Sequence, residues 1–552
     1  MSRNPKSSTH HPKPSTHHHP RPKIHLPLPR PLSYQEVIDC LRRNSLLRHH
    51  HMVATGEHTE AKTKLTTNTG QVVTNSRKVR AGDIFIAIKG AQHDGNDYLT
   101  TIPAGLIISE YPQPSLPTLV VSDVRQAWSH LAACANSVAD QTQCPKIIAI
   151  TGTNGKTTTA SLVSQLLTLC DIPPLLVSSL GIFHGNTYLM PNQMTTPDPD
   201  LLFRLLALAN KARIPYVVLE VSSHALALHK LAPLRFCAAA ITSFSPDHLD
   251  FHQDMQSYFA SKWRILADHS RTATCVAINA HVAKQAKSFG FDFEHNNLWV
   301  YGDACSSPDY AHLPNHHYLR VSTLSTAEGN LCASLCVGSS CRVGNLTLRG
   351  KHNLDNFAAA LLLTENLLGK SIAPSKWSQT TLPCGRMEVV AERPLVVVDY
   401  AHTPDALEQV LLAFAQLRPL WLVFGCGGAR DRSKRKLMGE LASRYATHIV
   451  LTDDNPRRED SAAIIADICD GMPADTHPHI CPDRRAAIAY ALARVPKNTG
   501  CVLVAGRGAE THQQFARHRL AFDDRVVCRQ LLVRLDARDA GSDGYQDLDR
   551  WV

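Results

Sequence analysis

The sequence predicts an α/β protein assembled from successive parallel-sheet units, and three observations carry that prediction. Short apolar runs, "KIIAI" (146–150) and "YVVLE" (216–220), each lead into a loop and then a helical pattern. That alternation of strand, loop and helix is how a parallel sheet is threaded. Four further runs beyond residue 390, "LVVVD", "LWLVFG", "HIVLTD" and "CVLVAG", repeat it and predict a second doubly wound unit. The length, 552 residues, accommodates about three or four domains of ordinary size.

Taken in order, residues 1–32 are rich in Pro, His and Ser and carry few apolar side chains to offset ordering entropy, so they predict a disordered tail. Residues 33–143 read as a small α/β unit: a helix in "SYQEVIDCLRR", then strands in "DIFIAI", "GLIIS" and "TLVVS". The central unit spans 144–380, "TLPCGRM" (381–387) is a linker, and the second doubly wound unit runs to a loose end, "ARDAGSDGYQDLDRWV".

Composition narrows the function. The net charge is +9, but Arg3, Lys6, Lys13, Arg21, Lys23 and Arg30 place six of those charges in the tail, leaving +3 for the rest. A broad phosphate-binding surface, and with it a nucleic-acid partner, is not expected. No apolar stretch is long enough to span a bilayer and no signal core is present, so a cytoplasmic protein without membrane insertion is expected. The 16 cysteines include no CxxC pair. The densest group, Cys332, Cys336 and Cys341, matches no common zinc spacing, and reduced thiols are expected throughout.

The strongest local signal is "IIAITGTNGKTTTA" (147–160). A buried strand ends, a loop with Gly152 and Gly155 follows, and Lys156-Thr157 opens a helix. Backbone N–H groups of such a loop cradle phosphates, the lysine reaches the outer ones, and the threonine holds Mg²⁺. The loop departs from GxxxxGK[ST], because Ile150 stands where the first glycine belongs. ATP or GTP use follows. Glu220 closes a strand, and "SFSPDHLDFH" sets Asp247, His248, Asp250 and His252 just beyond another. Glu220 and His248 are candidates for Mg²⁺ ligands, since strand C-termini face the ligand crevice. Lys262, in the amphipathic "MQSYFASKWRIL", reads on spacing alone as a solvated lysine. "TDDNPRRED" (452–460) reads as a strand entering a turn. Its arginines either face solvent or hold a carboxylate in the two-pronged geometry of a guanidinium, and the local sequence leaves both open.

Together TGTNGKTT, EVSSHAL, DHLDFH, "CGRMEVV" and "VVVDYAHTPDAL" resemble the Mur ligases, ATP-dependent amide-forming enzymes of peptidoglycan precursor synthesis; the likeness covers about 65–535. The order "GCGGARD…DDNPR…AGRGAE" is similar to the members that add meso-diaminopimelate. The resemblance implies a UDP-sugar-binding domain (33–143), a central P-loop-type ATPase (144–380) and a C-terminal Rossmann-like domain (381–552) that brings the amino acid. It implies phosphorylation of the carboxylate of UDP-N-acetylmuramoyl-L-alanyl-D-glutamate by ATP and attack on the acyl phosphate by the amine. By the same likeness Thr151, Gly152, Thr153, Asn154, Gly155, Lys156 and Thr157 form the ATP loop, joined by Asn279, Arg386 and Asp399. Thr157, Glu220, His248 and Lys262 hold Mg²⁺, with Lys262 carried as an N6-carboxylysine; Lys156, His248 and Lys262 serve the chemistry. Thr74, Ser76, Ala91, Gln92 and His93 match the UDP loops, and Thr195, Thr196, Ser222 and Lys230 the muramoyl-peptide contacts. Arg430, Asp454, Asn455, Pro456, Arg457, Gly506 and Glu510 match the diaminopimelate site, where Arg457 would pair with the distal carboxylate and Asp454 or a nearby acid with the ammonium. Arg458 has no such match and reads as solvated. The family often has Arg at Lys230, Asn at Ser243, Asp at Asn75, and "GKGHE" where this chain reads Gly506-Arg507-Gly508-Ala509-Glu510. All partners are then small molecules, and a monomer is expected.

Other readings are a lysine-adding, MurF-type or folylpolyglutamate-type ligase, a nicotinamide oxidoreductase and a non-catalytic scaffold. The oxidoreductase needs a third glycine in "FGCGGARD", and Arg430 stands there. The scaffold does not need Lys156, Glu220, His248 and Lys262 together.

Overall fold

The run "KIIAIT" forms strand Lys146–Thr151, in which only Lys146 is exposed, because parallel neighbours and helices on both faces leave no side to water. The computed structural model describes residues 25–51, 69–90, 93–113, 116–140, 142, 144–292, 297–303, 317–327 and 330–539. In the central 11-stranded sheet, Lys146–Thr151 pairs in parallel with Tyr216–Glu220 on one side and Ala238–Ile241 on the other. Leu175–Ser178 lies beyond the former; Cys275–Asn279, Leu298–Gly302 and His317–Ala327 follow the latter, all in parallel. Chain order reverses at Lys146–Thr151, so the loop after it opens at the switch point where α/β sheets bind ligands.

Antiparallel strands Gly181–His184 and Thr187–Met190 extend one edge, and Asn330–Val337 and Ser340–Leu346 extend the other. The sequence marks neither extension, since these strands are short or rich in Ser, Cys and Gly. Cys336 and Cys341 face each other across the second hairpin and are joined as a disulfide. This corrects the expectation of reduced thiols throughout: register, not spacing, brought the pair together.

A 5-stranded sheet, with Val72–Val73, Ile84–Ile86, Leu106–Ser109 and Thr118–Val121 in parallel, forms the N-terminal unit. Helix Tyr34–Arg43 starts on a Ser33–Glu36 capping box. Residues 25–32 are not part of a disordered tail. Pro27 accepts a hydrogen bond from Arg204 Nε at 2.8 Å, Arg30 N donates to Ala135 O at 2.8 Å, and Leu32 is buried. Leu26, packed against the shared core, and buried Leu32 anchor this stretch, while Leu28 is exposed; residues 1–24, also expected to be a disordered tail, lie outside the described residues.

In the C-terminal sheet Leu395–Asp399, Cys501–Ala505, Leu420–Phe424, His448–Leu451 and His479–Ile480 run in parallel, with Glu388–Glu392 antiparallel at the edge. All four apolar runs read from the sequence are therefore strands.

One apolar core joins the N-terminal unit to the central sheet. Val37 and Leu131 belong to the same cluster as Phe203 and Ile265. Helix Pro199–Lys211 packs against Val124–Ala135 across this boundary, where Trp128 Nε1 donates to Asp200 Oδ1 at 2.8 Å. Among the described residues no helix is long and apolar enough to cross a membrane. Phe203→Ala, at a fully buried position of the shared core, is expected to cost about 3–5 kcal/mol. Urea unfolding measures this; a loss below about 1 kcal/mol would show the two units not to share a core.

Candidate active site

The loop after Lys146–Thr151 is shaped by close approach. Gly152 has φ +151° and Gly155 φ +82°; a Cβ would lie 2.0 Å from Thr242 Oγ1 at the first and 2.3 Å from Asn356 Oδ1 at the second. Helix Lys156–Thr168 starts without a side-chain cap, so its first N–H groups are left for an anion. Ser243 Oγ accepts from Asn154 N at 2.8 Å and donates to Asn154 O at 3.1 Å, bracing the loop from the next strand. Lys156 Nζ donates to Gly152 O at 2.9 Å and Thr153 O at 2.8 Å, and burial lowers its pKa.

Beside the loop lies a set of hard oxygen donors. Thr157 Oγ1 is 3.0 Å from Ser179 Oγ, and Ser179 donates from N and Oγ to Glu220 Oε2 at 2.7 and 2.8 Å. Glu220 is 0% exposed, and its Oε1 is buried without a hydrogen-bond partner. A buried carboxylate oxygen with no donor is costly, and a divalent cation there satisfies it. The residues therefore fit Mg²⁺. Among the described residues no three His, Cys, Asp or Glu side chains group as metal ligands, so Glu220 and His248 alone do not close a cage. His248 has its pKa drawn down to about 3, by burial first and against the pull of Asp247, which keeps the imidazole in its neutral, ligating form.

Lys262 is 2% exposed, and its Nζ donates to Gly152 O at 2.8 Å. The solvated lysine suggested by spacing is thus buried against the loop. Burial, then neighbouring Lys156, lowers its pKa far below the usual amine range.

The C-terminal unit reaches this loop directly. Asn154 Nδ2 donates to Asp405 Oδ2 at 2.9 Å, and its Oδ1 accepts from Thr403 Oγ1 at 3.3 Å. Lys434 Nζ lies 3.6 Å from Asp247 Oδ1. Arg386 Nη2 donates to Thr157 Oγ1 at 3.2 Å while the guanidinium lies over Tyr400 at 4.2 Å. Asp399 accepts from Met387 N and Ala401 N at 2.6 and 2.7 Å, which fixes the turn carrying Arg386. Asn279 caps the next helix through His281 N, and its Nδ2 lies 3.4 Å from Asp355 Oδ2. Burial, then Asp303, pushes Asp355 up to about 7.

Between the units lies a cavity of about 1110 Å³. Thr195, Thr196, Ser222 and Lys230 line one side; Thr196 Oγ1 donates to Glu220 O at 2.9 Å, and Lys230 pairs with Asp198 at 2.7 Å. The far end is built by the C-terminal sheet. Asn455 Nδ2 donates to Asp454 Oδ1 at 3.0 Å and Glu510 Oε2 at 2.8 Å, and Pro456 is buried behind. Arg457 sits at φ +55° with its Nη1 on Gly428 O at 2.8 Å. Gly506, at φ +113°, leaves 2.6 Å between a notional Cβ and Asp454 Oδ2. Burial, then Asp454, raises the Glu510 pKa; burial, then Arg430, lowers that of Arg457. Two cations and two carboxylates at one end suit a ligand bearing both charges. Arg458 is exposed.

Thr74, Ser76 and His93 lie in the N-terminal unit and do not line this cavity; Ala91 and Gln92 lie outside the described residues. The sequence reading missed Asn353, Asn356 and Lys434, which do line it, as do Tyr400 and Asp405 of the "DYAHTPDAL" segment that the family likeness had marked. Gly350 before "KHNLDN", at φ +81°, was the signal available for the first two.

A phosphate loop at a sheet switch point, facing a second doubly wound unit across a charged cavity, defines a nucleotide-using two-substrate enzyme. Residues 150–364 match the Mur ligase middle domain, and 385–508 match the Mur ligase glutamate ligase domain. The chain is 36% identical over 470 residues to a UDP-N-acetylmuramoyl-L-alanyl-D-glutamate--2,6-diaminopimelate ligase of Chlamydia caviae, covering 83% of this chain and 93% of that one. It is 34% identical to the ligase of the same name from Pseudomonas putida, covering 85% and 96%. A solved structure of a ligase of that name is 28% identical with a TM-score of 0.59, covering 92% and 99%. The chain belongs to the Mur ligase family.

Gly155→Ala should strain the loop by about 1–3 kcal/mol and press on Asn356. Nucleotide affinity is expected to fall about tenfold or more, read by titration with a fluorescent ATP analogue; unchanged affinity would refute the loop's role.

Proposed function

We propose that this protein is an ATP-dependent amide ligase that adds meso-2,6-diaminopimelate to UDP-N-acetylmuramoyl-L-alanyl-D-glutamate, in the cytoplasmic synthesis of peptidoglycan precursors. The observation that carries the reading is a single cavity with a phosphate loop at one end and paired cations and carboxylates at the other. A carboxylate is a poor acyl donor at neutral pH, and phosphorylation supplies a leaving group.

The loop amides from Thr151 to Thr157 and the Lys156 ammonium bind the triphosphate, while Asn279, Arg386 and Asp399 hold or frame the nucleotide. Thr157, Glu220, His248 and a carboxylated Lys262 would hold Mg²⁺, which when bound would supply positive charge against the transferred phosphoryl group. Thr195, Thr196, Ser222 and Lys230 orient the muramoyl-peptide, and the UDP moiety meets Thr74, Ser76 and the 91–93 loop. The γ-phosphoryl group passes to the D-glutamyl carboxylate. The amine of diaminopimelate attacks the acyl carbon, and phosphate leaves from the tetrahedral intermediate. The contacts of Asn154 with Asp405 and of Lys434 with Asp247 draw the C-terminal unit onto the loop and exclude water that would hydrolyse the acyl phosphate.

Diaminopimelate carries a second ammonium and carboxylate at the far end of its side chain. Arg457 and Arg430 suit that carboxylate; Asp454 and Glu510 suit the ammonium groups. Lysine lacks the distal carboxylate and would leave Arg457 unpaired. Lys262 is suited to carboxylation because CO₂ adds only to a neutral amine, releasing one proton, and burial favours that form.

The direct test is phosphate release with ATP, Mg²⁺ and the UDP-muramoyl-dipeptide, comparing meso-diaminopimelate, L-lysine and D-alanyl-D-alanine. Release only with meso-diaminopimelate is expected; release with lysine would refute the role of Arg457, and silence with all three the ligase reading. Arg457→Ala should raise the KM for meso-diaminopimelate about a hundredfold, as for a lost buried charge pair, with ATP binding near normal; an unchanged KM would refute the assignment. Lys262→Ala should cut turnover, with partial recovery in high bicarbonate or in short-chain carboxylates; no recovery in either removes the support for a carbamate.

A further inference from the structure

We propose that Arg507 is a positioning residue that sets the carboxylates of the amine-binding end by fixing the side-chain orientation of Asn455; this rests on reading that end as the diamino-acid site. Arg507 stands in the turn after strand Cys501–Ala505, is 0% exposed and lies behind the cavity wall. Its Nη1 donates to Asp454 O at 3.2 Å and to Asn455 Oδ1 at 3.4 Å, and its Nη2 donates to Phe522 O at 3.0 Å. Asn455 Oδ1 also accepts from Gln514 N at 2.8 Å. Guanidinium and backbone amide can only donate, so both demand the oxygen of Asn455 on their side. Its Nδ2 is thereby turned to Asp454 Oδ1 and Glu510 Oε2, at 3.0 and 2.8 Å. A flipped amide would put oxygen against two carboxylates and nitrogen against two donors. Arg507 thus forces a neutral donor between Asp454 and Glu510, holding both at a set spacing for an ammonium ligand.

The charge count points the same way. Behind Arg507, Arg484 pairs with Asp524 at 2.8 Å, both fully buried, and Arg507 Nε is 4.0 Å from the same carboxylate without a hydrogen-bond partner. Two guanidinium groups share one buried carboxylate, and the surplus positive charge faces Asp454 and Glu510. A lysine at this position would carry the charge but not the planar fork that reaches Asp454 O, Asn455 Oδ1 and Phe522 O together.

The test compares wild type, Arg507→Lys and Arg507→Met by separate KM values for meso-diaminopimelate, ATP and the UDP-muramoyl-dipeptide, with melting temperature alongside. Arg507→Lys should raise the KM for meso-diaminopimelate about tenfold, and Arg507→Met about a hundredfold, the scale of charge-assisted hydrogen bonds. The other two KM values should hold. If the Met variant does not fold, the Lys variant decides alone. A folded Lys variant with an unchanged diaminopimelate KM, or with all three KM values raised together, overturns the positioning role while leaving the ligase reading intact. Failure of the wild type with every amine overturns the ligase reading, and this proposal with it.

Discussion

Everything in this site depends on one turn, from Thr151 to Lys156. Its two glycines are pressed between Thr242 and Asn356, closer than any side chain would permit. That approach leaves the helix N-terminus open and brings Asn154 out toward the C-terminal unit. It also brings Gly152 O within reach of both Lys156 and Lys262. Lys156, buried against the loop, offers an anion a positive charge that water screens little, while burial favours the neutral amine of Lys262. Glu220, fully buried alongside with one oxygen unpartnered, supplies the opposing charge. On the proposed reading, Lys156 and the unpartnered Glu220 oxygen are the groups that a triphosphate and its cation would match in sign.

The second sheet meets the first with the carboxyl ends of its strands. Asp399, the residues after Leu451, and Gly506 all emerge at that edge. On the proposed reading, one short stretch serves both substrates. Asp399 fixes the turn of Arg386 on the nucleotide side, and its carbonyl accepts from Gly506 N at 3.1 Å on the amine side. Tyr400 lies between, stacked on Arg386 and close to Glu510. The two ends of the cavity are therefore coupled through rigid backbone.

The sequence disclosed this architecture where chemistry and geometry coincide locally. The phosphate loop, the strand ends at Glu220 and Asp399, and all the buried C-terminal strands were legible from apolar runs and glycine placement. Lys262 was not: a helix lysine looks the same on either face until the partner element is known, and only family likeness marked it. The hairpins at both sheet edges lacked an apolar alternation. The Cys336–Cys341 pair depended on a register that spacing does not encode. Leu26 and Leu32, which anchor residues 25–32, were diluted by prolines. Asn356 approaches the loop from far along the chain, and no local pattern carries such a contact.

The departures from the usual family pattern read differently once placed. Ser243 takes both the N–H and the carbonyl of Asn154, so a smaller side chain still braces the loop. The backbone nitrogen of Ala509 is 2.1 Å from a notional Cβ on Gly385, so the tight turn that carries Arg386 requires the glycine at 385, and nothing in this contact explains the alanine at 509. Arg507 introduces three bonds where a lysine offers a point charge, and it comes with Arg484 and Asp524 buried behind it. Ser243 lines the cavity, whereas Arg507 and Ala509 lie behind its wall. On the proposed reading, the phosphate and amine-binding surfaces carry donors and charges suited to their ligands, with Lys230 and Ser243 as the changed residues that line the cavity, while Arg507 and its partners rebuild the frame behind it. That division is what physics permits: the chemistry fixes which charges face the cavity, and any buried network that satisfies its own hydrogen bonds can hold them there.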